Sequence, residues 1–295
     1  MIQYQNGNGL VELHHDGTRV ISFEDTLQLE YPLNIDIRVS TACSLGYNPK
    51  TGKATCTFCH ESARTDGEEC DYQELKNKLQ GLPKGIELAI GGNKITPELI
   101  SFLKWAKNEG YICNLTVNQL HMNREKVVLK SLLEDETVYG LGISFRGGFD
   151  FGIDDYFIKN PRVVLHVIAG IDRVDTIINN PIQKVLVLGY KTFGFGVDYY
   201  SEDVKNNIQQ WYWWVKKLID SKDVVSFDNL GLEQLNIKRF LTEDKWGEFN
   251  QGEHSFYINA VDKYFAPSSR NGNKTDWSTV TIKDYFKQLE DVKDR

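Results

Sequence analysis

From residue 34 to about 219 the chain repeats one unit, an apolar strand followed by a polar amphipathic segment. That repeat constrains the fold more than any other feature. Candidate strands lie at 34–41, 86–92, 112–119, 138–145, 163–170 and 185–192, with a seventh at 224–230. Helical segments lie between them. The clearest, 96–109, opens on Thr96, has Pro97 at its first helical position and stops at Gly110, the asymmetry expected of helix ends. Another, 202–219, places Trp211, Trp214 and Leu218 at helical spacing. Successive βα units build a parallel sheet, because each crossover returns the chain in the same direction.

The face pattern chooses the form of that sheet. Strands covered on both sides read as continuous apolar runs. Here Asp36, Arg38 and Ser40 alternate with Ile35, Ile37 and Val39. Asn114, Thr116 and Asn118 alternate with Cys113, Leu115 and Val117, and Gly140, Gly142 and Ser144 with Leu141, Ile143 and Phe145. One greasy face for helices and one polar or bare face predict an α/β protein whose sheet curves around a wet lumen. The expectation is a partial (βα)6 TIM-like barrel over residues 34–220. Residues 1–33, broken by Asn6-Gly7, Asn8-Gly9 and Asp16-Gly17, predict an N-terminal β-hairpin or meander. Residues 221–295 predict an α+β extension closing the barrel, with a hairpin at 256–267 and a helix at 282–292 capped by Thr281 and Asp284. Ser226, Asp228 and Asn229 are candidates for closing it over a substrate.

A formal charge of −7 argues against a broad basic surface for bulk nucleic acid. No apolar run approaches the roughly 18–20 residues that span a bilayer, and the first residues lack a signal-peptide pattern. The expectation is a cytoplasmic protein with no membrane partner.

The five cysteines are 43, 56, 59, 70 and 113. An odd count, three of them within seventeen residues, does not fit a disulfide framework and points to a metal site. Cys43, Cys56 and Cys59 form a Cys-x12-Cys-x2-Cys array directly after the first barrel strand, where parallel α/β barrels place active sites. Three thiolates suit a soft centre, iron–sulfur or zinc. In a [4Fe–4S] cluster they leave one iron open to a small molecule. The alternative is a closed zinc site of Cys43, Cys56, Cys59 and Cys70, with His60 as a substitute ligand, in a binding or regulatory module without radical chemistry.

At these residues the chain resembles the radical S-adenosylmethionine superfamily. Phe58 in CTFC stands where the family has an aromatic before the third cysteine. Gly91-Gly92-Asn93 matches the family's Gly-Gly-Glu-like turn after strand two, and Ser144 with Arg146 matches the polar end of strand four. Leu188 to Lys191 (LGYK) is similar to the family's strand six, and the resemblance covers roughly residues 34–200. Two departures stand out. The first cysteine gap is twelve rather than three, its GYNPKTGK reading as a small hairpin that returns Cys43 beside Cys56, and Asn93 replaces the glutamate. The resemblance implies that Cys43, Cys56 and Cys59 are both the metal ligands and the catalytic residues, holding a [4Fe–4S] cluster. It implies S-adenosyl-L-methionine bound by Phe58, Gly91, Gly92, Asn93, Asn118, Ser144, Arg146, His166 and Tyr190. Its reductive cleavage would give a 5′-deoxyadenosyl radical that takes hydrogen from a small-molecule, nucleotide or peptide substrate. A flavodoxin- or ferredoxin-type reductant is implied.

Of the remaining residues, Cys113 is expected to be a buried small hydrophobe and Cys70 structural. His14 and His15 are expected at the surface, and the WYWW run at 211–214 in helix packing.

Overall fold

The computed structural model describes residues 2–92, 94–146, 152–243, 246, 254–269 and 272–293. The chain opens with a three-stranded antiparallel meander, β1 (Ile2–Asn6), β2 (Gly9–Leu13) and β3 (Arg19–Ser22). Its first turn does more than reverse the chain. The Asn6 amide is buried, donates to Tyr31 O at 2.7 Å and accepts from Glu30 N and Tyr31 N. Asn8 repeats the device on Thr26 and Gln28. The two asparagines thereby pin the irregular segment that leads into the main sheet.

Among the described residues that sheet has ten strands, in the order β12-β11-β10-β9-β8-β7-β4-β13-β14-β15. In chain order they are β4 (Asn34–Arg38), β7 (Glu87–Gly91), β8 (Ile112–Asn118), β9 (Gly140–Ser144), β10 (Val163–Ile168) and β11 (Lys184–Leu188). Then come β12 (Val224–Phe227), β13 (Ser255–Asn259), β14 (Tyr264–Ala266) and β15 (Thr275–Asp276). Every pairing from β12 to β13 is parallel, and β14 and β15 add antiparallel. The hairpin expected at 256–267 is therefore present, and its first strand extends the sheet beyond β4.

The alternation read from the sequence sorts the two faces. Ile35, Ile37, Leu88, Ile90, Leu115 and Val117 are buried on one side, against the helices. There α2 (Pro97–Glu109) supplies Leu99, Phe102, Leu103 and Ala106. Its ends follow the sequence: Thr96 accepts from Leu99 N and Gly110 turns left-handed. Each fully buried aliphatic side chain contributes about 1.5–3 kcal/mol before chain entropy is counted. Helices α1 (Tyr72–Leu79), α3 (Gln119–Glu134), α4 (Asp155–Lys159) and α5 (Val174–Ile178) add buried residues to the same core.

The helix expected at 202–219 is α7 (Glu202–Ser221), after the short α6 (Gly196–Tyr199). Its buried stripe is Val204, Trp211, Val215 and Leu218. Here the sequence reading needs correction. Trp214 is 46% exposed and Trp213 70% exposed, because helical steps from Trp211 lead to Val215 and Leu218 and leave both outside. The aromatic run thus gives the core one tryptophan. His14 and His15 are at the surface. The final helix, α9 (Ile282–Lys293), is capped by Thr281, whose hydroxyl donates to Asp284 and accepts from its amide; α8 (Asn229–Gln234) precedes β13. Among the described residues no helix is long and apolar enough to cross a membrane.

A buried acid follows β10. The Asp172 carboxylate accepts from Ile168 N at 2.7 Å, and its carbonyl accepts from Trp211 Nε1 at 2.7 Å. Burial pushes its pKa up to about 7. The folded state then holds a proton that the unfolded chain releases near its ordinary value of about 4. Between about pH 4 and pH 7 this group costs stability as pH rises, by about 1.4 kcal/mol per unit. Asp172→Asn should therefore gain on the wild type across that window, by a few kcal/mol in all. Paired denaturant melts at pH 4.5 and pH 7.5 check it; a constant difference would contradict it.

Candidate functional site

The three clustered cysteines come together through a small hairpin. Strand β5 (Ala42–Asn48) and β6 (Lys53–Ala54) pair antiparallel, with Tyr47 opposite Ala54 and Asn48 opposite Lys53. The turn at Asn48 accepts from Thr51 N and Gly52 N. This consumes the long cysteine gap and returns the chain, so that Cys56 N donates to Leu45 O at 2.9 Å. Cys59 N then donates to Cys56 O at 3.2 Å. The loop after β11 packs on this segment, with Phe195 N donating to Cys59 O at 3.1 Å. Gly194 makes the approach possible. Its φ is +56°, and a Cβ there would lie 2.3 Å from His60 O.

Cys43, Cys56 and Cys59 line one cavity of about 230 Å³ at the carboxyl ends of the parallel strands. Burial raises the Cys43 and Cys59 thiols above the ordinary cysteine range, and the neighbouring cysteines add to it. Arg146 answers with positive charge. Its Nη2 donates to Cys56 Sγ at 3.4 Å, while its guanidinium lies over the Phe58 ring, 4.7 Å from the centroid. Phe58 also makes an edge contact with the Tyr199 ring, 5.7 Å between centroids.

Of the other residues expected here, Gly91, Asn118, Ser144 and His166 line the same cavity. Asn118 also caps α3, accepting from Leu120 N at 2.9 Å. Burial lowers His166 to about 4, so its ring is neutral at pH 7. At Gly91 a Cβ would meet nothing within 4 Å, so its backbone faces open space. Gly92 faces Leu115, Val117 and Ile95 instead, and Asn93 lies outside the described residues.

Tyr190 lies in a small recess with Phe58, His60, Ile168 and Leu188, which also line the cysteine cavity. Its hydroxyl donates to Gly196 O at 2.7 Å, its side chain is buried, and it does not line the cysteine cavity. It holds the 193–200 loop in place. Asp228 is likewise committed, capping α8 and accepting from Gly189 N and Gly231 N. Cys113 is buried as expected, and Cys70 packs in the apolar core, away from the cavity lining. Among the described residues no three His, Cys, Asp or Glu side chains converge on a single-ion position.

Compared with known proteins, the chain matches no protein-family model and no curated sequence. The site must be read from its own chemistry.

Two groups in it were not legible beforehand. Ser44 Oγ and His121 Nε2 are 2.8 Å apart, and the His121 Nδ1 is buried without a partner. Burial first, then Arg124 and Arg146, keeps His121 below its ordinary pKa. The second is a polar chain that reaches the cavity through His60 and Glu61. Arg38 pairs with Glu61 at 3.0 Å and Glu61 with His60 at 3.1 Å. Burial alone would raise the Glu61 carboxyl, but His60 and Arg38 outweigh it. The position of His121, three residues past the end of β8, was the one available signal, since strand ends are where such folds collect functional groups.

Proposed function

We propose that this chain is a radical S-adenosylmethionine enzyme built on a partial (βα)6 TIM-like barrel. One observation carries the reading: three cysteines, and no fourth from the core, face one cavity at the carboxyl ends of parallel strands. The donor set fits a [4Fe–4S] cluster with one open iron. The bare Gly91 backbone leaves room beside it. The curvature has its own support. One cavity is lined by residues from β7, β8, β9, β10, β11 and β12, and six strands laid flat would span about 24 Å at their usual spacing.

When bound, the cluster and S-adenosylmethionine supply a one-electron cleavage whose organic radical abstracts hydrogen from substrate. The chain's own residues bind, orient and shield. Cys43, Cys56 and Cys59 would hold the iron. Arg146 offsets thiolate charge at Cys56 and keeps the Phe58 ring in place for a flat group. Ser144 and Asn118 offer neutral hydrogen bonds, as does His166, whose low pKa prevents it from adding a charge. Ile168, Leu188 and Val117 exclude water from the same space. The reading includes a flavodoxin- or ferredoxin-type reductant and a small-molecule, nucleotide or peptide substrate.

The test is 5′-deoxyadenosine release by anaerobically reconstituted protein given S-adenosylmethionine and dithionite. Arg146→Met should lower the rate about tenfold or more, the loss of a charged hydrogen bond of about 1.5–3 kcal/mol. Protein with a full iron complement that releases none would overturn the reading.

A further inference from the structure

The hairpin that fills the long cysteine gap carries two exposed lysines, Lys50 at its tip and Lys53 on β6. From Cys43 to Asp66 the only carboxylates are Glu61 and Asp66. Both are already engaged, Glu61 by Arg38 and His60 and Asp66 by Arg64. The ammonium groups of Lys50 and Lys53 have no ion-pair partner among the described residues. The unanswered charge of this segment is therefore positive, on a chain whose formal charge is −7.

The hairpin is seated beside a second exposed feature. The Tyr47 ring lies 5.6 Å from the Arg64 guanidinium and 6.2 Å from the Phe195 ring, and Phe195 N donates to Cys59 O. Hairpin, cysteine loop and α6 thus share one surface. On it Val197 is 55% exposed, and Tyr199 and Tyr200 are each 41% exposed. Large apolar and aromatic side chains exposed together, rather than singly, mark a contact surface. Asp198 lies among them in the open. Glu202 is paired with Lys205, whose ammonium is 5.5 Å from the Tyr200 ring centroid. An aromatic centre with charges at its rim is the layout of a protein interface.

The same patch reaches inward. Tyr199 touches the ring of Phe58, which stands between Cys56 and Cys59 in the chain. An acidic protein is repelled by the overall charge, and two unanswered lysines at one edge of the patch favour a single orientation. We infer that the β5–β6 hairpin and α6 form the docking face for an acidic one-electron carrier protein. The lysines orient it, and Tyr199 and Phe58 bring its redox group close to the cysteines. This rests on the reading of the cysteines given above and adds the surface through which the electron enters. The carrier is oxidised by one electron, the cysteine-bound centre is reduced by one, and no atom passes between the proteins.

The experiment measures binding first, by calorimetry on the full reconstituted chain with an oxidised flavodoxin and with a plant-type ferredoxin. At least one should bind. The Lys50→Glu, Lys53→Glu double variant should bind it about tenfold more weakly at low ionic strength, and within about twofold of wild type near about 0.5 M salt. Tyr199→Ala should weaken binding at both salt concentrations. The same two reversals at Lys104 and Lys287, exposed on α2 and α9, should leave the affinity unchanged. With dithionite as reductant, the hairpin variant should release 5′-deoxyadenosine as fast as wild type, while carrier-driven release falls with the affinity. The inference is overturned if neither carrier binds, if the reversals at Lys104 and Lys287 weaken binding as much, or if the hairpin variant loses dithionite-driven release in the same proportion. A chain that binds a carrier through the hairpin yet releases no 5′-deoxyadenosine with dithionite would overturn the radical reading and leave the docking face standing.

Discussion

Alanine at Cys43, Cys56 or Cys59 is expected to abolish iron–sulfur binding outright, whereas alanine at Cys70 or Cys113 leaves the iron count unchanged. The contrast follows from position. The first three thiols face one cavity, while Cys70 and Cys113 are packed among apolar side chains. Removing one of these three would remove a ligand of the proposed cluster, and His60, which lines the same cavity, is paired with Glu61. Removing either core thiol leaves a small void worth about 1 kcal/mol of stability. Iron and acid-labile sulfide on the five single variants, reconstituted side by side, decide it. Equal loss with Cys70→Ala would favour a four-thiolate zinc site instead.

Trp211→Ala carries the largest expected stability loss. Trp211 is fully buried on α7, and its Nε1 donates to Asp172 O at 2.7 Å. Truncation leaves a cavity and an unpaired carbonyl beside a buried acid. The expected cost is about 3–5 kcal/mol, a fall in melting temperature on the order of 10 °C. Trp213→Ala, two residues on and mostly exposed, should stay within about 0.5 kcal/mol of wild type. Denaturant melts of the pair test the helix orientation directly; similar losses would mean that the buried stripe has been misassigned.

Much of the parallel frame was legible because its signals are local. Helix α2 announces itself through Thr96, Pro97 and Gly110, and strand alternation separates Ile35 and Ile37 from Asp36 and Arg38. The same alternation put Asn118, Ser144 and His166 on the cavity side. The long gap between Cys43 and Cys56 was readable as a hairpin because GYNPKTGK is turn-forming. What stayed hidden depends on distant partners. Nothing local says that β13 will pair with β4, or that Ser44 will meet His121, 77 positions away. Tyr190 shows a related limit. A tyrosine near a strand end reads as a ligand contact, but its hydroxyl is spent on Gly196 six residues later. The tryptophans failed on phase, since a run of aromatics cannot all share one face of a helix.

The most direct test of the cysteine centre is the metal content and absorbance spectrum of the anaerobically purified, iron- and sulfide-reconstituted chain. About four irons and four sulfides per chain are expected, with a broad band near ~400 nm that dithionite bleaches. A colourless protein holding one tightly bound zinc would contradict it.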